Sequence, residues 1–201
     1  MTYKTRLSNR DNQKIESDLS FLRKLLRFSK THNFRLVVSG GYGLDGILNT
    51  ITRPHNDLDV IIYSQTSRNK ITVLLTQFFK KTFSKVDISI KENKFLVDID
   101  INTDGFDGNF YLVETINDSQ NDVNAIKLAN GETQINSKQR FPIPVLAKLN
   151  GIKFESQDPN LHLADILYKR KKNKQSKHSQ DIKNLKSITK TDVVKSILAQ
   201  Y

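Results

Sequence analysis

The sequence predicts an α+β fold in which a mixed sheet is flanked by helices and followed by a C-terminal helical bundle. Helical and strand-like periodicities alternate over the first hundred residues, more strand-like segments follow, and the pattern after residue 140 becomes helical. With 201 residues and 37% hydrophobic content, the chain can bury one core, with or without a small helical appendage, but not two large domains. We therefore expect a catalytic domain over residues 1–139 and a basic helical region over residues 140–201.

The N-terminal part is predicted to alternate helices with strands. Apolar residues recur at helical spacing over residues 11–32, which indicates an amphipathic helix. Residues 34–38 form a short apolar run that ends at glycines, typical of a buried strand, and a short helix is expected over residues 43–49. The β-branched segment 57–63, DLDVIIY, predicts a second strand. A second long helix is expected over residues 71–78.

Strands are predicted to predominate in the middle of the chain. Residues 86–91 and 94–101 alternate as strands joined at Glu92-Asn93, and shorter strands are expected at residues 109–114 and 133–135.

Helices alone are predicted after residue 140. Pro142 and Pro144 are expected to open a helix that continues to Ile152, and Asp158-Pro159 is a suitable cap and first-turn pair for another. Two shorter helices are expected from Lys177 and Thr191.

The composition excludes some chemistry and favours some partners. The chain has no cysteine, so a disulfide framework and a thiolate zinc site are excluded. A net charge of +11 suits polyanionic partners such as nucleotides, nucleic acid or acidic membranes, or it is a solubility trait. Residues 140–201 hold 13 Lys and Arg against 5 Asp and Glu, and the run KRKKNKQSKH is either a solvated helix end or a nucleic-acid site. No secretion signal or membrane-length apolar run is visible, so we expect a cytoplasmic protein.

Two aspartates stand one residue apart in the predicted strand 57–63. Residues two apart point to the same face of a strand, so Asp57 and Asp59 project together, about 6.6 Å apart along the backbone, while Leu58 and Val60 point into the core. Paired carboxylates in a chain without cysteine suit Mg²⁺ or Mn²⁺, ions that also bind substrate phosphates. The pair therefore predicts a divalent metal site.

A candidate phosphate site precedes these aspartates. The order strand, then Ser39-Gly40-Gly41, then helix offers free backbone N–H groups and a helix N-terminus to an anion. Phosphate and metal sites are thus predicted on neighbouring elements.

The combined motif resembles a known superfamily. The stretch GGYGLDGILNTITRPHNDLD, with Gly-Gly, an aromatic, Leu-Asp and then Arg-x-His-x-Asp-x-Asp, is similar to nucleotidyltransferases of the DNA polymerase β type, specifically the lincosamide and aminoglycoside nucleotidyltransferases. Tyr42 stands where that branch usually has Trp. A weaker similarity covers HSQDIKNLKSIT near the C-terminus.

The resemblance implies a nucleotidyltransferase fold, an NTP co-substrate with ATP expected, two Mg²⁺ ions, and roles for particular residues. The catalytic and metal-binding carboxylates would be Asp57, Asp59 and Asp98, with Asp98 as third ligand or general base. Nucleotide-binding residues would be Ser39, Gly40, Gly41, Arg53, His55, Lys153 and Lys177. His55 would either hydrogen-bond a phosphate or brace the loop. For Lys153 and Lys177 the alternative is an ordinary surface charge. Substrate-binding residues would be Tyr42, Asp45 and Asp100, with a surface position as the alternative for Asp45.

Three functions are consistent with this resemblance. The first is metal-dependent transfer of a nucleoside monophosphate to a hydroxyl of a small molecule, a lincosamide or aminoglycoside antibiotic. The second is the same chemistry on tRNA or another macromolecule held by the basic C-terminal region. The third is an inactive nucleic-acid-binding relative, which the converging carboxylates disfavour.

Overall fold

The chain folds around one mixed sheet, as seen in a computed structural model that describes residues 7–93, 96–118, 123–127, 133–135, 144–173 and 179–199. The helices in these ranges are α1 Asn9–Thr31, α2 Gly40–Leu48, α3 Arg68–Thr82, α4 Pro159–Asn173, α5 Ser179–Lys186 and α6 Thr191–Leu198. The strands are β1 Arg35–Val38, β2 Leu58–Ser64, β3 Asp87–Glu92, β4 Val97–Asn102, β5 Asp107–Asp118, β6 Val123–Lys127, β7 Thr133–Ile135, β8 Val145–Leu149 and β9 Ile152–Ser156.

The sheet has the order β3-β4-β5-β2-β1-β9-β8, with β6 and β7 extending from β5. The pairs β2·β5 and β1·β9 are parallel, and the other neighbours are antiparallel. The predicted α+β class with a mixed sheet is confirmed.

The main core lies between the sheet and helices α1 and α3. Helix α1 begins with a capping box, in which the Ser8 hydroxyl accepts from the Asp11 backbone N–H and the Asp11 carboxylate accepts from the Ser8 backbone N–H. Its apolar stripe is buried, and Phe21 lies 4.3 Å from Phe106 and 6.2 Å from Phe79, measured between ring centroids. This packing holds the first strands of the sheet in place.

The C-terminal helices share a second apolar cluster with α2. Leu44 of α2 packs with residues of α4, α5 and α6, namely Leu163, Ala164, Ile166, Ile182, Leu185, Val194 and Ile197. The predicted helical C-terminal part is therefore present, and it rests directly on the helix that follows β1.

The helix predicted from Pro144 to Ile152 is wrong. Residues 145–156 instead form the β8–β9 hairpin, and β9 pairs in parallel with β1. Asn150 and Gly151 both have positive φ, 46° and 78°, as a tight hairpin turn requires, and Asn-Gly is a strong sequence signal for such a turn. The buried positions follow a period of two rather than a helical period: Ala147, Leu149, Ile152 and Phe154.

Two other predictions fall partly beyond the described ranges. The boundary at residue 140 stays a prediction because residues 136–143, which include Pro142, lie outside the described part. Residues 174–178, which include Lys177, also lie outside it. The sequence did not predict strand β6.

Among the helices that the structure describes, none is long and apolar enough to cross a membrane.

Candidate active site

The junction between β1 and α2 places a helix N-terminus beside the aspartate pair. The Ser39 backbone N–H donates to the Asp59 carbonyl oxygen at 2.9 Å, and Gly40 has φ +60°. A Cβ at Gly40 would collide with the Asp59 carboxylate. Glycine is therefore required here by conformation and by space, and the first backbone N–H groups of α2 lie next to a carboxylate.

The aspartate pair has the predicted orientation. Leu58 and Val60 are buried in the core, whereas Asp57 and Asp59 are half-buried on the opposite face. The period of two along β2 thus separates the core from the site.

Asn109 joins the two aspartates, a role that sequence reasoning did not find. The parallel register of β2 and β5 places Asn109 opposite Asp59. Its Nδ2 donates to Asp57 Oδ2 at 3.2 Å and to Asp59 Oδ1 at 3.0 Å. One oxygen of each carboxylate therefore converges on the same point in the site.

Asp98 and Asp100 lie on β4, which is separated from β2 by β5. The register pairs Asp100 with Asn109 and Asp98 with Tyr111, so Asp100 is level with Asp59 while Asp98 is one step further along the sheet. In the described ranges, no three His, Asp or Glu side chains are close enough together to hold a metal ion. The structure does not bring Asp98 to the Asp57–Asp59 pair.

The surroundings of Asp98 raise its pKa above the ordinary value of an aspartate. Burial and the neighbouring Asp100 charge raise the pKa of Asp98, with Lys91 acting in the opposite direction. Its Oδ1 is buried and accepts no hydrogen bond from the described residues. Lys91 Nζ lies 3.6 Å from Asp100 Oδ2 and partly neutralises this pair.

The loop before Asp57 is braced by a buried network. The His55 Nε2 and Asp45 Oδ2 atoms lie 2.6 Å apart, and Asp45 Oδ1 accepts from the backbone N–H and the hydroxyl of Thr52 at 3.1 and 2.6 Å. The exposed fractions of His55 and Asp45 are 3% and 0%. This arrangement favours the bracing role of His55. It corrects both interpretations of Asp45, substrate binding and a surface position, because its side chain is fully buried.

Tyr42 is also buried. Its exposed fraction is 1%, its hydroxyl donates to Asp18 Oδ2 at 2.7 Å, and its ring contacts His55 at 4.6 Å between centroids. The predicted substrate contact of Tyr42 is therefore wrong, because the side chain is part of the core beneath the site.

Arg53 ties this loop to the C-terminal helices. Its Nε and Nη2 donate to the two carboxylate oxygens of Asp181, on α5, at 3.0 and 2.7 Å, and its Nη1 donates to the Pro54 carbonyl at 3.0 Å. Burial opposes the charge of Asp181, but hydrogen bonding and the charge of Arg53 prevail and lower the pKa of Asp181. The pair fixes α5 against the loop that carries Asp57.

We expect Asp181→Asn to lower the free energy of unfolding by about 2 kcal/mol at pH 7, because it weakens a largely buried, charge-assisted pair. A carboxylate whose pKa is lowered in the folded state contributes stability above its unfolded pKa, near 3.9, and that contribution is lost as pH falls through the folded value. Urea denaturation at pH 7 and pH 3.5 should show a smaller difference at the lower pH. Asp192→Asn, on the exposed surface of α6, is the control, with an expected effect of about 0.5 kcal/mol or less. An equal loss from Asp181→Asn at both pH values would contradict this assignment.

Lys153 is not placed at the site. It is exposed on β9, three residues before Ser156, which pairs with Val38 at the end of β1. It therefore lies about 10 Å back along the sheet from the β1–α2 junction. Its predicted contact with the nucleotide is not supported by this position.

An open, acidic cleft of about 520 Å³ extends from Asp57 across β5, β4 and β3. Among the residues that the structure describes, four carboxylates line it and no basic side chain does, although Lys91 lies beside one of them, Asp100. The carboxylates belong to Asp57, Asp87, Asp100 and Asp107. Neutral polar side chains complete the lining, from Asn56, Ser89, Asn102 and Asn109. In a chain of net charge +11, this cleft is a local region of opposite charge.

Comparison with known proteins identifies the family of this chain. A family model described as aminoglycoside-2''-adenylyltransferase matches residues 21–156, more than half of the chain. The chain belongs to this family. It is accordingly an enzyme, a nucleotidyltransferase of the type found among antibiotic adenylyltransferases. No curated protein matches it.

Solved structures share the fold at low sequence identity. The ANT(2'')-Ia structure in complex with adenylyl-2''-tobramycin has 13% identity and a TM-score of 0.67, with 92% of this chain and 96% of that chain covered. The lincosamide antibiotic adenylyltransferase LnuA, with lincomycin bound, has 15% identity and a TM-score of 0.60, with 92% and 100% covered. At this identity the similarity supports the nucleotidyltransferase fold, as the sequence motif predicted.

Proposed function

We propose that this enzyme transfers a nucleoside monophosphate, with ATP as donor, to a hydroxyl of an aminoglycoside antibiotic. Family membership supports the reaction, and the acidic cleft beside Asp57 supports the acceptor. An acceptor with several amino groups is attracted to four carboxylates, whereas a singly charged lincosamide gains less from them.

Ser39, Gly40 and Gly41 would bind the triphosphate. The backbone N–H groups at the start of α2 are not used by the helix itself, and the helix dipole favours an anion there. Arg53 is already held by Asp181 and Pro54, so its main effect would be to position the loop between α2 and Asp57. Contact of Arg53 with a phosphate stays a prediction.

The donor set at Asp57 and Asp59 fits a divalent cation. One oxygen from each carboxylate converges on the Asn109 amide, so a positive centre at that point would be bound by both. When bound there, Mg²⁺ or Mn²⁺ would neutralise charge on the α-phosphate and on the departing pyrophosphate.

Asp98 and Asp100 would act on the acceptor. Asp98 as the group that takes the hydroxyl proton stays a prediction: its raised pKa is the direction that a general base needs near neutral pH, but its strand lies two strands away from the one that carries Asp59. Asp100 lines the cleft beside it and would bind an acceptor ammonium group. The attacking hydroxyl would then displace pyrophosphate in line at the α-phosphorus, with its proton passing to Asp98.

The acidic cleft disfavours a macromolecular polyanion as acceptor. A tRNA backbone directed at Asp57 would meet Asp87, Asp100 and Asp107, and these carboxylates would repel its phosphates. The basic run KRKKNKQSKH lies on α4 and beyond it, and its side chains are outside the described residues.

Incubation with Mg²⁺ and each NTP against aminoglycosides, lincosamides and tRNA tests this proposal, with the product mass as readout. We expect one AMP to be added to an aminoglycoside. Asp87→Asn should raise the acceptor KM up to about fivefold and leave the KM for ATP unchanged, because a partly solvated ion pair contributes up to about 1 kcal/mol. Transfer to tRNA or to a lincosamide, with none to any aminoglycoside, would contradict the acceptor assignment.

A further inference from the structure

We infer that Asn109 is the third ligand group of the divalent metal site, positioning Asp57 and Asp59 in the absence of an ion and binding the ion through its amide oxygen. The inference builds on the proposed function only in requiring a divalent ion. It concerns a residue that no motif in the sequence indicates, since Asn109 lies 50 residues after Asp59 and on another strand.

Asn109 donates a hydrogen bond to each of the two neighbouring carboxylates. Both carboxylates accept from the same Nδ2, at 3.2 Å for Asp57 and 3.0 Å for Asp59. Two ionised carboxylates that converge on one point repel each other unless a donor or a cation lies between them. The Asn109 amide supplies that donor, so the pair is preformed before an ion binds.

The side-chain amide has a donor end and an acceptor end of nearly identical shape. A half-turn about its terminal torsion exchanges Nδ2 for Oδ1 while the rest of the residue stays in place. Amide oxygens are among the hard ligands that Mg²⁺ and Mn²⁺ accept. The position that holds an N–H donor without the ion would therefore offer an oxygen ligand with it.

Position in the sheet makes Asn109 a better third ligand than Asp98 or Asp100. Asn109 is on the strand adjacent to β2, about 4.8 Å away, whereas β4 is two strands and about 9.6 Å away. A neutral third ligand also keeps the site less negative than three carboxylates would. Because affinity for hard cations rises with the number of charged ligands, this site would bind its ion weakly until nucleotide phosphates add their oxygens.

The test measures Mn²⁺ binding to the 201-residue chain without nucleotide or acceptor, with the electron paramagnetic resonance signal of the free ion as readout. We expect Asn109→Ala to weaken binding about tenfold, within the range found when groups around a metal are removed. Asn109→Asp should bind about tenfold more tightly, since it adds a charged ligand. In EDTA the same Asp variant should have a lower Tm than the wild type, and Mn²⁺ should raise its Tm by more than it raises that of the wild type.

Asn102→Ala is the matched control. Asn102 also lines the cleft and donates from Nδ2 to a carboxylate, Asp107 Oδ1 at 2.5 Å, but it does not contact the Asp57–Asp59 pair. We expect its Mn²⁺ affinity to stay within about twofold of the wild type.

Two outcomes would overturn the inference. One is unchanged Mn²⁺ affinity in Asn109→Ala together with no tightening in Asn109→Asp, and the other is an absence of Mn²⁺ binding by the wild type at millimolar concentration. Because these measurements use no ATP, they separate a wrong role for Asn109 from a wrong reaction, which the product-mass assay tests independently.

Discussion

Asp57→Asn is expected to reduce nucleotidyl transfer at least about a thousandfold, a loss of roughly 4 kcal/mol of transition-state stabilisation. The substitution preserves shape but removes one of the two charges that converge beside Asn109. Asp57 lies before β2 rather than in the core, so the fold should be retained. Single-turnover transfer at saturating Mg²⁺ and ATP measures the chemical step directly.

Asp104→Asn provides the control for the loss of one aspartate charge. Asp104 is exposed in the turn between β4 and β5, outside the cleft lining, and its substitution should leave the rate within about twofold of the wild type. Full activity in Asp57→Asn would remove the catalytic assignment of the pair.

Gly40→Ala is expected to lower the rate at least about a hundredfold and to destabilise the fold by about 1–2 kcal/mol. Its positive φ disfavours any side chain, and the new Cβ would collide with the Asp59 carboxylate. Relief of that collision must move Asp59 or the start of α2, and a displacement of about 1 Å in an active site can cost about a hundredfold in rate. Urea denaturation and the transfer assay measure the two effects separately.

Gly105→Ala is the matched glycine control. Gly105 lies in the turn between β4 and β5, has no positive φ, and a Cβ there would have no heavy atom of the described residues within 4 Å. We expect its rate and stability to match those of the wild type. If Gly40→Ala behaved in the same way, the close approach of Asp59 to α2 would be wrong.

Local features of the site were predictable from the sequence. The orientation of Asp57 and Asp59 follows from the strand period of two, and the helix after the glycines begins at Gly40, where the sequence placed an anion site. Each of these depends on residues within a few positions of one another.

Features that depend on distant pairing were missed or misread. The helical spacing of Val145, Leu149 and Ile152 suggested a helix, but the Asn150-Gly151 turn and pairing of β9 with β1 decided for a hairpin. Asp45 and Tyr42 look available to a substrate in the sequence, yet packing beneath α2 buries them against His55 and Asp18.

The sequence by itself determined the family, the α+β class, and the aspartate pair beside a glycine-lined helix start. Tertiary structure alone decided that Asn109 joins the two aspartates, that Asp181 holds Arg53, and that an acidic cleft opens next to them. The physical reason is sequence separation. Periodicity and turn chemistry act over a few residues, whereas the Asn109–Asp57 and Arg53–Asp181 contacts join residues 52 and 128 positions apart, and only the register of the sheet and the packing of the helices bring them together.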